Sequence, residues 1–185
     1  MILSASKAQL LIIDIQEKLA PAMSDAGPVI ANSQRLMAAA RHFGVPVTIS
    51  EQYPRGIGPT VEVLRDAAGD EARVFDKMAF SCAQDPAIAA HLDHVREDAS
   101  RNQIVITGIE AHICVLQTAL ELLQSGYAVF VVADAIASRR AASCEIAMRR
   151  MEQAGVQPVT TEMVIFEWVG RAGTPDFKAI LPLIN

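Results

Sequence analysis

Asp14, Lys77 and Cys114 lie far apart in a chain of 185 residues, yet together they could perform nucleophilic catalysis. A thiolate is the reactive form of cysteine, and it forms more readily at a helix N-terminus and beside a cation. The stretch "TGIEAHICVLQTALELL" (107–123) places Cys114 in the first turns of an apolar helix pattern that follows a strand-like run. A carboxylate such as Asp14 could accept the thiol proton and later pass it to a leaving group, and Lys77 could supply the cation. Each residue also has a plainer reading: Cys114 as a small core side chain, Asp14 as a turn former, Lys77 as a solvated charge. His112 precedes Cys114 by two positions, about 200° round a regular helix, so it reads as a structural or pocket-edge histidine rather than a partner of the thiol. His42, His91 and His94 fall inside helix patterns.

What could bring such distant residues together is a parallel sheet. Four runs rich in Ile, Val and Leu read as strands covered on both faces: "AQLLIIDI" (8–15), "VPVTIS" (45–50), "NQIVITG" (102–108) and "YAVFVVAD" (127–134). "ARVFDK" (72–77) and "VQPVTT" (156–161) are weaker candidates, the latter an edge strand because of Pro158. Helix patterns at 28–43, 86–98, 109–125 and 139–154 lie between them, with Pro, Asp85 or Ser138 at their starts and Gly at three of their ends. The alternation predicts βαβ units, a parallel Rossmann-like α/β sheet and right-handed crossovers. Asp14, Lys77 and the segment 110–114 then all sit at strand carboxyl ends, on one edge of the sheet. "EQYPRGIGPTVEV" (51–63) is a structured loop at that same edge, where open α/β sheets bind ligands.

The bulk properties narrow the partners. The chain is 51% apolar and 20% charged, with formal charge −5, which argues against nucleic acid or an anionic membrane. The first apolar run, 9–13, is too short for a signal segment or a membrane span. Three scattered cysteines with no CxxC pair suggest neither disulfides nor a zinc knuckle and fit a cytoplasmic location. No linker or repeat divides the chain, so one domain over 1–185 is expected. No glycine-rich phosphate turn follows any strand, so no nucleotide cofactor is expected.

Taken together, "LLIIDIQEKL", "SEQYPRGIGPTVEVL", "FDKMAFSC", "VITGIEAHICVLQTALELLQSGYAVFVVADAIASR" and "AMRRMEQAGVQPVTTEMVIFEWV" resemble the isochorismatase-like cysteine hydrolases over nearly the whole chain. Within that family the likeness is to the isochorismatase domain-containing proteins. The resemblance implies a three-layer α/β/α fold with a six-stranded, mostly parallel sheet. It implies a catalytic triad of Asp14, Lys77 and Cys114, a cis peptide at Ile109–Glu110, and an oxyanion hole formed by the N–H groups of Glu110 and Cys114. It also implies a homo-oligomer; the apolar segment 162–169 would be buried or lie at a subunit contact.

The expected activity is hydrolysis of a small amide or related C–N bond through a thioester. Two alternatives stand beside it: a vinyl-ether hydrolase using Asp14 as general acid, and a non-catalytic binding or scaffold protein. Nicotinamidases of the family bind a metal through an Asp-x-His-x-x-x-His cluster; here that stretch reads "EQYPRGIG", and Glu51 alone cannot make the site, so no metal is expected. Glu110 stands where many relatives have Thr or Ala, and is either a hydrogen-bonding strut or a substrate selector. Gln52, Tyr53 and Phe80 are candidate pocket residues from their place near Lys77 and the second strand end.

Overall fold

A computed structural model describes residues 1–70 and 72–184. Glu71 and Asn185, which the expected domain span includes, lie outside the described residues. In chain order the elements are β1 (Ala8–Ile13), α1 (Ala26–Phe43), β2 (Val47–Gln52), a single turn α2 (Pro54–Ile57), α3 (Glu62–Ala68), β3 (Arg73–Lys77) and α4 (Pro86–Ala99). There follow β4 (Gln103–Ile109), a π-helical turn (Ala111–Val115), α5 (Leu116–Gln124), β5 (Ala128–Ala137), α6 (Ala141–Ala154), β6 (Gln157–Val159), α7 (Thr161–Val169) and α8 (Pro175–Ile180).

The sheet has the order β3-β2-β1-β4-β5-β6, and every pairing is parallel, where a mostly parallel sheet was expected. β6, with Pro158, is an edge strand. Alternation within strands explains the near-continuous apolar runs. Leu10 and Ile12 join one core with α1 and α7, while Leu11 and Ile13 join the other with α4, α5 and α6. The structure is therefore three layers with a core on each face of the sheet.

This order reverses direction between β1 and β4, and ligands of open α/β sheets bind at such a switch point. Asp14 follows β1 directly, and Cys114 follows β4 by five residues. Gly108 makes their approach possible. It pairs with Ile13, sits at a register shift in β4 and has φ +130°. A Cβ there would collide with the Ile13 carbonyl oxygen and lie 2.7 Å from its nitrogen. Gly108→Ala is accordingly expected to cost about 3 kcal/mol or more, read as a lower urea midpoint. A variant as stable as the wild type would mean that β1 and β4 can part without consequence.

Candidate active site

Asp14 leaves β1 in the left-handed region, at φ 53°, which a non-glycine residue adopts at a cost of about 1 kcal/mol. Its backbone N–H donates to the Ser50 carbonyl at 3.1 Å, and its carbonyl accepts from Gln16 N–H at 2.8 Å, so the turn is fixed on both sides. The carboxylate is fully buried. Ser50 Oγ donates to Oδ1 and Lys77 Nζ to Oδ2, each at 2.8 Å.

Lys77 ends β3 opposite Gln52 of β2, and it is 2% exposed. Besides Asp14, its ammonium faces Gln52 Oε1 at 2.6 Å and the carbonyls of Phe80 and Ala79 at 3.0 and 3.2 Å. A buried ammonium needs such company, because its charge is costly outside water. Burial alone would depress its pKa. The Asp14 charge, followed by the thiols of Cys114 and Cys82, outweighs burial and holds Lys77 above its ordinary value.

Cys114 lies in the π turn, 5% exposed, and near enough to Asp14 for the carboxylate charge to act on its thiol. The peptide bond between Ile109 and Glu110, which opens this turn, is cis. Burial pushes the Cys114 thiol far up; the Asp14 charge pushes it further, and Lys77 pulls back only in part. The expectation of a thiol ionised by its helix end is thus corrected. At rest the proton stays on sulfur, because a buried anion next to a carboxylate is worse than a neutral thiol. Burial likewise raises Asp14 above the ordinary carboxylate range, against the lowering influence of Lys77, Cys114 and Ser50.

Four further residues have defined places around the lysine and the 51–60 loop. Gln52 is turned toward the lysine: its Oε1 accepts from Lys77, and its Nε2 donates to the Met78 carbonyl at 2.9 Å. Its side chain positions the lysine instead. Tyr53 lines an open cavity of about 480 Å³ beside Lys77, together with Met78 and Ala79. The Phe80 ring is exposed on the same loop, while its carbonyl serves Lys77. Glu51 is engaged by Thr60, whose N–H and hydroxyl donate to Oε1 at 2.6 and 2.7 Å, so it closes the 51–60 loop. Among the described residues, no group of three or more His, Cys, Asp or Glu side chains is placed to hold a metal ion.

Glu110 is hydrogen-bonded within the protein. Its Oε2 accepts from both the backbone N–H and Nε of Arg139, each at 3.1 Å, tying the end of β5 to the nucleophile turn. His112 Nδ1 meets Ser138 Oγ at 2.9 Å across the same junction. Sequence reasoning missed Ser50 and Cys82. Ser50 is a lone hydroxyl ending an apolar strand, paired with Ile13, the residue before Asp14. Cys82 is buried close enough to Asp14 and Lys77 for their charges to act on it; burial pushes its thiol up to about 11.

A parallel sheet of order 3-2-1-4-5-6 with Asp, Lys and Cys gathered at its switch point defines a doubly wound α/β protein of the isochorismatase fold. Residues 8–163 match the model of the isochorismatase domain, and the chain belongs to the isochorismatase family. It is 39% identical, over 172 residues, to isochorismatase domain-containing protein 1 of Salmo salar, covering 93% of this chain and 59% of that one. The corresponding Danio rerio protein is 37% identical, and this chain spans 62% of its length. Thus the chain spans about three fifths of these relatives. A structure described as MAR1 ribonuclease from Caenorhabditis elegans superimposes with a TM-score of 0.91 at 36% identity, covering 100% of this chain and 92% of that one. The YcaC gene product of Escherichia coli, described as an octameric hydrolase of unknown specificity, gives 0.90 at 23% identity over 100% and 89% of the two chains. That last likeness shows the fold alone. Among the described residues no helix is long and apolar enough to cross a membrane.

Proposed function

We infer that the protein is a hydrolase of small amides or related C–N bonds, working through a thioester on Cys114. The observation that supports this reading best is a buried carboxylate, braced by Lys77 and Ser50, within reach of a protonated thiol.

The reaction runs in two halves. As sulfur attacks the carbonyl carbon, its proton passes to Asp14; the new C–S bond forms while the C=O pair moves onto oxygen. The N–H groups of Glu110 and Cys114 hold that oxyanion, each such donor being worth about 3 kcal/mol. The pair then returns, the C–N bond breaks, and Asp14 gives its proton to the departing amine. In the second half Asp14 takes a proton from water, hydroxide attacks the thioester, and the proton returns to sulfur as the acid leaves. Lys77 stays charged throughout and offsets the negative charge that moves between sulfur and Asp14.

The relative named a ribonuclease does not bring RNA into this reading, because a net charge of −5 opposes a polyanion. The proposal includes a homo-oligomer. Met163 and Phe166 are exposed on α7 although Val164, Ile165 and Trp168 of the same helix are buried, and a second copy would cover them.

The test is ammonia or amine release from a panel of small amides and N-carbamoyl compounds. Release from at least one member is expected, and it should vanish in Cys114→Ala with the near-UV circular dichroism retained. No release from any member, or release undiminished by the substitution, overturns the reading.

A further inference from the structure

A second buried thiol stands beside the nucleophile, and the hydrolytic reaction does not use it. Cys82 opens a 3-10 turn, Cys82–Gln84, that packs against α5. Two hydrogen bonds fix that turn on the helix. The Cys82 N–H donates to Thr118 Oγ1 at 2.9 Å, and Gln84 Nε2 donates to Glu121 Oε1 at 2.6 Å. Thr118 and Glu121 stand four and seven residues after Cys114, so the three share one face of the helical stretch. Helical side chains lean toward the N-terminus, which carries Thr118 Oγ1, and the Cys82 backbone bound to it, toward Cys114. The offset along the helix is on the order of one turn, about 6 Å. On its other side the loop is anchored through the Ala79 and Phe80 carbonyls, which accept from Lys77 Nζ.

Cys82 and Cys114 belong to one buried cluster with Ile13, Ala111 and Val115, and the Cys82 thiol is close enough for its charge to act on Cys114. A disulfide needs its α-carbons about 4.5–7 Å apart, the scale that neighbouring helical turns set. The two thiols differ in access. Cys114 is 5% exposed and Cys82 is fully buried, so an oxidant entering from solvent meets Cys114 first. Cys82 is then reached only from within, by Cys114 itself. The Asp14 charge acts on both thiols, so one carboxylate can accept either proton.

We propose that Cys82 is a resolving thiol for Cys114: hydrogen peroxide oxidises Cys114 to a sulfenic acid, Cys82 converts that to a Cys82–Cys114 disulfide, and a dithiol reduces it again. In the first step the Cys114 sulfur attacks one peroxide oxygen and the O–O bond breaks. The thiol proton passes to Asp14 and on to the departing hydroxide, which leaves as water. In the second step the Cys82 sulfur attacks the Cys114 sulfur and the S–O bond breaks. The Cys82 proton follows the same route and a second water leaves. The two thiols together lose two electrons, and the peroxide gains them. The disulfide silences the nucleophile and keeps it from the irreversible sulfinic state. Neither step needs an amide substrate, so the pair is independent of the proposed hydrolase activity.

Cys144→Ser protein, whose only thiols are the pair, is treated with hydrogen peroxide and unfolded in guanidinium with N-ethylmaleimide present. Intact mass and non-reducing peptide mapping follow. Both thiols should be lost together, with the mass decrease of a disulfide and a linked peptide pair containing Cys82 and Cys114. Dithiothreitol should return both. With Cys82→Ser added, Cys114 should instead gain oxygen and pass to the sulfinic acid, which dithiothreitol does not reverse. The mapping of Cys144→Ser alone decides the matter if the double variant does not fold. Oxidised Cys114 beside a free Cys82 thiol, a disulfide joining two copies through Cys114, or no oxidation under excess peroxide overturns the pair. A linked pair in a protein that hydrolyses no member of the amide panel supports it and overturns the hydrolase reading instead.

Discussion

Cys114→Ala is expected to lower amide turnover by about six orders of magnitude, as loss of a nucleophile does, and Asp14→Asn by about four, the upper end of what a general acid–base group contributes. The two variants should nevertheless differ in one informative way. In the wild type burial and the Asp14 charge together keep the Cys114 thiol protonated, with only Lys77 opposing them. Asparagine removes the negative charge and leaves the ammonium, so sulfur ionises more easily in Asp14→Asn. That variant should be alkylated at Cys114 by iodoacetamide at lower pH than the wild type, although its turnover is gone. A thiol that loses reactivity together with turnover would show that Asp14 does not raise it. If instead Cys114→Ala keeps turnover while Asp14→Asn loses it, the carboxylic acid acts alone and the vinyl-ether route replaces the thioester.

Much of the site was readable from the sequence because the strands carry their own positional information. Apolar runs ending at Asp14 and at Gly108, before Cys114, together with the weaker run 72–77 that ends at Lys77, put all three at strand carboxyl ends, and parallel pairing puts those ends on one edge. What could not be read was the local chemistry. The expected ionisation of Cys114 by its helix end took no account of burial, which spacing does not reveal and which, with the Asp14 charge beside it, favours the protonated thiol. A π turn replaces the expected first helical turn, and apolar periodicity does not distinguish the two. Gln52 was a candidate pocket residue from its place near Lys77 and the second strand end, and spacing does not show which way its side chain turns. Its orientation depends on β2–β3 register, which sets it against Lys77. The partnership of Glu110 with Arg139 joins residues from different loops, and no spacing rule connects them.

Lys77→Met should destabilise the fold by about 3–5 kcal/mol, the usual result of removing one member of a buried ion pair. The reason lies on the acceptor side. Asp14 Oδ2, Gln52 Oε1 and the carbonyls of Ala79 and Phe80 all face one ammonium, and all four would lose it together, the first two of them in a fully buried setting. The 78–80 loop would lose its anchor with them. The pH dependence should move as well. In the proposed reaction turnover requires Asp14 ionised, so activity should fall as pH drops through its pKa, which already lies above the ordinary carboxylate range. Lys77 is the foremost influence holding that pKa down, and methionine removes it. The acid limb of kcat/KM should therefore shift to higher pH, leaving Asp14 protonated and unable to take the thiol proton where the wild type works. Arginine is a poor rescue, since a planar guanidinium cannot direct donors at four converging oxygens as a compact ammonium does. Urea unfolding measures the first effect and the pH–rate profile of the residual activity the second. A Lys77→Met protein with wild-type stability and an unmoved acid limb would mean that Asp14 is held and tuned by Ser50 and its own backbone turn alone.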